Sequence, residues 1–314
     1  MADEIHYRPA TIEDIRPAYA VFRRSLFDYL FRQSFIDETT AKEPPIESDW
    51  RRQSAWIEHL WGSAAENWVA QDAAGRIVGW AMSIERDGHL ELTHFFVEPG
   101  VQAKGIGRSL IQRAFPNGRA HHKAILASQD PRALSLYVRS GVNYVTTSVD
   151  FIIASRQIEP ATDLRFERVG SDGAAVEAIT ALEQEVLGYR REPDVRFLLS
   201  IRPAWLALRA GSVVGFAFGP HPKQQASRVQ PNGSGPMAAL NADDLPAILD
   251  HVIGAVQAAS AGKFSITVPL INRVAVAHLL GRGGRIDPFY MKILASDDSM
   301  RLDRWILTNP AFIM

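Results

Sequence analysis

One order of landmarks occurs twice in this chain, and that repetition constrains the fold more than any single motif. Ile5-His6-Tyr7-Arg8 leads into a segment with Ala18, Val21, Phe22 and Leu26, then Tyr29; Leu164-Arg165-Phe166-Glu167 leads into Val176, Ile179, Leu182 and Val186, then Tyr189. Both apolar spacings are helical. Trp68-Val69-Ala70, Gly75 and Val78-Gly79-Trp80-Ala81 are echoed by Trp205-Leu206-Ala207, Gly211 and Val214-Gly215-Phe216-Ala217, each reading as a hairpin around a glycine turn. Residues 133–141 are echoed by 275–283, and 151–155 by 292–296. The 314 residues therefore predict two α/β domains of α+β type with mixed sheets, residues 1–157 and 162–314. The polar stretch 155–163, with Pro160, reads as the linker.

Within the first copy, a strand-like run at 90–97 passes through a turn into Gln102-Ala103-Lys104-Gly105-Ile106-Gly107-Arg108-Ser109. Ile106, Leu110, Ile111 and Ala114 then recur at helical spacing. Side-chain-free residues at a helix start let backbone N–H groups approach an anion, and the helix dipole favours negative charge there. Lys104 and Arg108 add cationic side chains. The physical reading is a pyrophosphate cradle.

Gln102-x-x-Gly105-x-Gly107 resembles the acyl-CoA-binding motif of the GNAT-type N-acetyltransferases, Gln/Arg-x-x-Gly-x-Gly/Ala. The resemblance implies two tandem GNAT-like domains, acetyl-CoA as co-substrate, and direct attack by a primary amine of a small molecule or peptide. It places the chemistry where strands 90–97 and 124–128 splay apart, with Phe95, Phe96 and Val97 contributing main-chain contacts to the pantetheine arm and the thioester oxygen. The strand is expected to bulge there. Asp130-Pro131-Arg132-Ala133-Leu134-Ser135-Leu136-Tyr137 resembles the family's Asn-x-x-Ala-x-x-Leu-Tyr helix, whose Tyr faces the CoA sulfur. Asp130 stands where the family has Asn, so it reads either as a cofactor contact or as a plain N-cap ahead of Pro131.

The chemistry sets three needs. An alkylammonium of pKa about 10.4 must lose a proton before it attacks. The thioester oxygen needs a pre-placed donor, and the leaving thiolate gains from an acid. Tyr137 is the candidate acid. Glu91, at a spacing where family members carry a strand glutamate, is the candidate base, with His94 as rival and an ion-paired structural carboxylate as the alternative. Residues 27–61 hold Asp28, Asp37, Glu38, Glu43, Glu47 and Asp49 among Tyr29, Phe31, Trp50, Trp56 and Trp61, a mixture suited to a cationic amine.

The second copy lacks this equipment. Its cradle position reads Asn241-Ala242-Asp243-Asp244-Leu245-Pro246, and Leu279 stands where the first copy has Tyr137. It is expected to be a degenerate, non-catalytic domain, a scaffold or the surface of a homodimer. Composition narrows the classes further. No cysteine means no disulfide, thiol nucleophile or cysteinyl intermediate. A formal charge of −1 provides no field for nucleic acid or anionic membrane. No apolar run approaches the roughly 18 residues of a membrane span, and the acidic start lacks a secretory pattern, so the cytoplasm is the expected compartment. His121-His122 has no third ligand near it in sequence, and no metal is expected. An acyl-CoA sensor or scaffold without catalysis is the competing function.

Overall fold

The computed structural model describes all residues except 1–4, 43–45, 103–104, 155–159, 222–231, 260–262 and 312. The chain forms two compact units, residues 1–144 with 294–297, and residues 145–293 with 298–314.

Unit 1 runs β1 (His6–Pro9), α1 (Ile15–Arg32), α2 (Glu38–Lys42), α3 (Ile46–Gly62), β2 (Ala64–Gln71), β3 (Ile77–Arg86), β4 (His89–Val97), α4 (Ile106–Ala114), β5 (His122–Ala127) and α5 (Pro131–Arg139). Its strands lie in the order β1-β2-β3-β4-β5, antiparallel as far as β4 and parallel between β4 and β5. Helix α1 packs on β3 and β4 beside α3, while α4 packs on β2, β3 and β4. Leu90, Leu92, Ile106, Leu110, Ile111 and Tyr137 share one buried cluster, each fully buried leucine contributing about 1.5–3 kcal/mol. A Cβ at Gly79 would sit 2.8 Å from Leu110 Cδ1, so the absent side chain sets how closely α4 approaches the sheet.

Unit 2 follows the same sequence of parts: β6 (Asn143–Ala154), β7 (Arg165–Val169), α6 (Gly173–Leu187), α7 (Glu192–Ile201), β8 (Ala204–Arg209), β9 (Ser212–Phe218), β10 (Asn232–Ser234), β11 (Met237–Ala239), α8 (Leu245–Ala259), β12 (Lys263–Pro269), α9 (Arg273–Gly281), β13 (Arg285–Ala295) and β14 (Trp305–Ile306). One sheet has the order β14-β11-β9-β8-β7; the remaining strands run β13-β6-β12-β10. Gly215 repeats the role of Gly79, since a Cβ there would sit 2.6 Å from Ile248 Cδ1 on α8.

The first segment of unit 1 ends at Tyr144, ahead of the stretch read as a linker, whose residues 155–159 fall outside the described set. The reason lies in pairing: β6 runs antiparallel to β12 over seven residue pairs, Lys263↔Ala154 to Pro269↔Ser148. The other segment of unit 1, residues 294–297, lies beside β5, where Ser296 N–H donates to the Lys123 carbonyl (2.9 Å) and Ser296 Oγ accepts from Lys123 N–H (2.9 Å). A two-residue side-chain period identifies a strand without naming its partner.

Candidate active site

The site begins with a break in strand pairing. Among the described residues the parallel register between β4 and β5 ends at Leu92↔Ile125. On the other edge of β4, the register with β3 shifts between Ser83↔Leu92 and Met82↔His94, so Thr93 is the bulged residue. The bulge lies two residues before Phe95, upstream of the 95–97 stretch where the sequence placed it. Its effect is to reset the alternation. Leu90 and Leu92, then Phe95 and Val97, pack toward α4 and α5, while His94 and Phe96 meet Phe22 of α1.

Beyond the bulge β4 stays with β3. Glu98 N–H donates to the Val78 carbonyl at 2.9 Å, so antiparallel alternation directs the main-chain groups of Phe95 and Val97 to the opposite edge. The Val97 carbonyl there accepts from Ser25 Oγ (3.0 Å) and Gln102 Nε2 (3.0 Å). A cavity of about 550 Å³ opens along this edge. Its walls come from both faces of the sheet: Ser25, Tyr29 and Arg32 of α1, Phe95–Val97, and Leu136 and Tyr137 of α5. Gln102, Gly105, Gly107 and Arg108 line its end at the start of α4.

Gly105 has φ +82° and caps α4, a conformation glycine adopts without steric cost. A Cβ at Gly107 would meet Phe95 Cζ at 3.2 Å and Leu136 Cδ1 at 3.5 Å. Arg108 is exposed and forms no ion pair among the described residues. Ile106 is a core residue, and Ser109 N–H closes the first turn on the Gly105 carbonyl (3.1 Å); neither lines the cavity. Ala103 and Lys104, expected in the cradle, lie outside the described residues.

Tyr137 is buried, and its ring meets Phe95 edge-on, centroids 5.8 Å apart at 66°. Its Oη makes no hydrogen bond among the described residues. Burial, with the Asp130 carboxylate as a smaller cause, holds the phenol above its ordinary pKa. Asp130 is the N-cap of α5, accepting from Arg132 N–H at 3.0 Å. Arg132, which the sequence reading gave no role, spans the cavity mouth: Nη1 donates to Gln102 Oε1 (2.8 Å) and Nη2 to Asp130 Oδ2 (2.6 Å). Ser25 was likewise missed, because nothing in sequence shows which face of α1 meets the end of β4.

The candidate bases lie away from this cavity. Glu91 is buried in the paired part of β4, opposite Ala124, with its side chain on the face away from Leu90 and Leu92. His94 stacks on Trp80, centroids 4.4 Å apart, and burial lowers its pKa to about 3, so it stays neutral. Of the acids at 28–49, Asp49 pairs with Arg23 and Arg52, Glu47 with Arg16, Asp28 with Arg32 and Glu38 with Lys42, while Asp37 accepts from Thr40 N–H at 2.8 Å and Glu43 lies outside the described residues. Four of the six acids expected near a cationic amine are therefore held in ion pairs. His122 pairs with Asp297 at 2.8 Å. No group of three potential metal ligands occurs among the described residues, and no described helix is long and apolar enough to cross a membrane.

A splayed parallel pair, a glycine-started helix and a tyrosine-bearing helix across the gap define the class of GNAT-fold acyltransferase domains. Residues 48–152 match the family model described as an acetyltransferase (GNAT) domain. No curated protein matches the chain. Among solved structures, a protein from Pyrococcus horikoshii assigned as an acetyltransferase is similar over 96% of this chain and 92% of its own, with TM-score 0.67 and 15% identity. A GCN5-related N-acetyltransferase from Sphaerobacter thermophilus covers 94% and 98%, with TM-score 0.57 and 15% identity. A tandem GNAT protein of the clavulanic acid biosynthesis pathway covers 93% and 98%, with TM-score 0.57 and 14% identity. Residues 48–152 thus match the GNAT acetyltransferase domain model, and the chain as a whole shares the fold of these solved GNAT structures, one of them a tandem GNAT protein.

Proposed function

We propose that unit 1 transfers an acetyl group from acetyl-CoA to a primary amine of a small molecule or peptide. The observation that carries this reading is the edge of β4 at Phe95 and Val97, which β5 does not pair and which faces a cavity running from the Gly105–Gly107 turn to Tyr137. A pantetheine arm laid there would pair with that edge as an added strand does, and its diphosphate would meet the amides at the start of α4 and the Arg108 guanidinium. Bound acetyl-CoA supplies the activated thioester. The amine approaches from the α1 side, past Tyr29 and Phe96, and attacks the carbonyl carbon directly.

In this scheme the oxygen of the tetrahedral intermediate is held by a main-chain N–H of residues 95–97. Tyr137 donates its proton to the departing thiolate, a role helped by a phenol kept protonated through burial. Glu91 remains the proposed acceptor of the amine proton. It works through a relay, because its side chain does not line the cavity. Gln102 bridges the Val97 carbonyl and Arg132 at the cavity's edge, so the arm would have to replace its contact to Val97.

The test is release of free coenzyme A from acetyl-CoA across a panel of primary amines, with wild type and Tyr137→Phe. Turnover in the wild type and its loss in the variant, at equal acetyl-CoA affinity, supports a transferase. Binding without turnover for any amine would favour a sensor.

A further inference from the structure

Unit 2 contains the same splayed strand as unit 1, and its gap is filled. The strand equivalent to β4 comes in two pieces. β10 pairs in parallel with β12 (Asn232↔Phe264 to Ser234↔Ile266), as the first half of β4 pairs with β5. After Gly235-Pro236, β11 pairs antiparallel with β9 (Met237↔Ala217 to Ala239↔Gly215), as the second half of β4 pairs with β3. The free edge of β11 is taken by β14, with Met237↔Ile306 and Ala238↔Trp305. On the other side of the same segment, Leu307 N–H donates to the Thr267 carbonyl of β12 at 3.0 Å.

We propose that residues 305–309 are an intramolecular ligand of the second cleft, seated as an added strand between β11 and β12 where unit 1 keeps its gap open. This rests on the reading that the open gap of unit 1 takes the pantetheine arm of acyl-CoA. Unit 2 then has no free acyl-CoA site, and the chain binds one acyl-CoA.

The fit is built into the surrounding residues. Trp305, Ile306, Leu307 and Thr308 are all fully buried. A Cβ at Gly233 would overlap the Asn309 side chain, and one at Gly235 would overlap the Leu307 carbonyl, so both glycines leave the space this segment occupies. Polar groups close around it. Asn272, the N-cap of α9, donates Nδ2 to the Trp305 carbonyl (3.1 Å). Asn309 Nδ2 donates to Thr267 Oγ1 (2.8 Å). Buried Arg202 holds the carbonyls of Gly233 (3.2 Å), Gly235 (2.8 Å) and Asn309 (2.5 Å). A buried arginine with three carbonyl partners on two segments is costly to expose or rearrange. The start of α8 is also closed to phosphate, because Asp244 there pairs with Arg209 at 2.7 Å. Leu279, fully buried in the unit 2 core, occupies the place of Tyr137 and has no proton to give.

Hydrogen exchange on the full chain, with and without coenzyme A, tests this. The Leu307 amide should exchange about a hundredfold or more below an unstructured amide, as the β12 amides do, and coenzyme A should leave it unchanged. Gly233→Val should accelerate exchange across 305–309 by about tenfold or more. Fast exchange of Leu307 in the wild type, or faster exchange on adding coenzyme A, would overturn the proposal; so would unchanged exchange at 305–309 in Gly233→Val. Failure of the transferase reading shows elsewhere, as absence of coenzyme A protection at residues 105–109, with Leu307 still protected.

Discussion

The Phe95 ring stands edge-on to Tyr137, 5.8 Å away, and so fixes the phenol at the floor of the cavity with its hydroxyl unbonded among the described residues. A donor held this way acts on the departing sulfur without first breaking a protein hydrogen bond. Tyr137→Phe is expected to lower kcat by about 10²–10⁴-fold, the usual range for a lost general acid, with little change in acetyl-CoA affinity. The phenol's pKa is raised by burial, and an acid must be protonated to act. Activity should therefore show no loss from this group on the alkaline side below pH about 10. A basic limb near pH 8 that disappears in Tyr137→Phe would contradict the assignment.

Gly107 lies within 3.2 Å of Phe95, measured from where a Cβ would stand, and lines the cavity's end at the start of α4. Gly107→Asp puts a carboxylate where the diphosphate is proposed to bind. The helix itself tolerates an acid in its first turn, which the dipole favours. Coenzyme A affinity should fall more than about tenfold, with only a modest drop in melting temperature from the added Cβ pressing on Phe95. Isothermal titration beside a thermal melt separates the two effects.

Burial holds His94 at a pKa of about 3, so it is neutral across the working range and carries no titration near pH 6.5. His94→Gln should disturb packing on Trp80 and lower stability while leaving the acidic limb of kcat/KM where it was. Glu91→Gln should remove that limb if the strand carboxylate receives the proton. A limb that moves in the histidine variant and stays in the glutamate variant would reverse the two roles.

Much of this architecture was readable because it depends on periodicity. The hairpins around Gly75 and Gly211 recur as β2–β3 and β8–β9, and Gly79 and Gly215 recur because each admits a helix against a strand. The glycine-started helix α4 was readable from Gly105 and Gly107 for the same local reason. Features set by distant partners were not. Leu90, Leu92, Phe95 and Val97 break a two-residue rhythm only at Thr93, a pattern that also fits a misregistered strand. Asp28–Arg32 and Glu38–Lys42 are readable as i,i+4 helix pairs, but Arg16–Glu47 and Arg23–Asp49 are revealed only by the packing of α1 against α3. Residues 305–309 lie beyond the repeated landmarks, so nothing local marked their partner.

The Arg23–Asp49 pair, with side chains 2% and 4% exposed, shows how such pairing works. Arg23 also lies over the Phe27 ring at 4.6 Å. Asp49→Ala removes one partner and leaves a guanidinium buried, a loss expected to destabilise unit 1 by about 3–5 kcal/mol. Its signature is a lower melting temperature with KM for the amine unchanged at a temperature where the protein is folded. A selective rise in amine KM without a stability change would instead give Asp49 a direct part in acceptor binding.

Asp150 supplies a pH-dependent measurement on unit 2. It accepts from Thr267 Oγ1 at 2.5 Å, and burial raises its pKa from 3.8 to about 6. A carboxyl whose folded pKa exceeds its unfolded one binds its proton more tightly in the native state. Its contribution is fully favourable below pH 3.8 and is lost as pH rises through 6. The resulting penalty at neutral pH is on the order of 3 kcal/mol. Asp150→Asn keeps the shape without the charge, so it should raise the melting temperature more at pH 7 than at pH 5. Because Thr267 also holds Asn309 at 2.8 Å, the gain should come with slower exchange across 305–309. An Asp150→Asn protein with equal stability increments at both pH values would show that the carboxylate is stabilised by its surroundings as the anion.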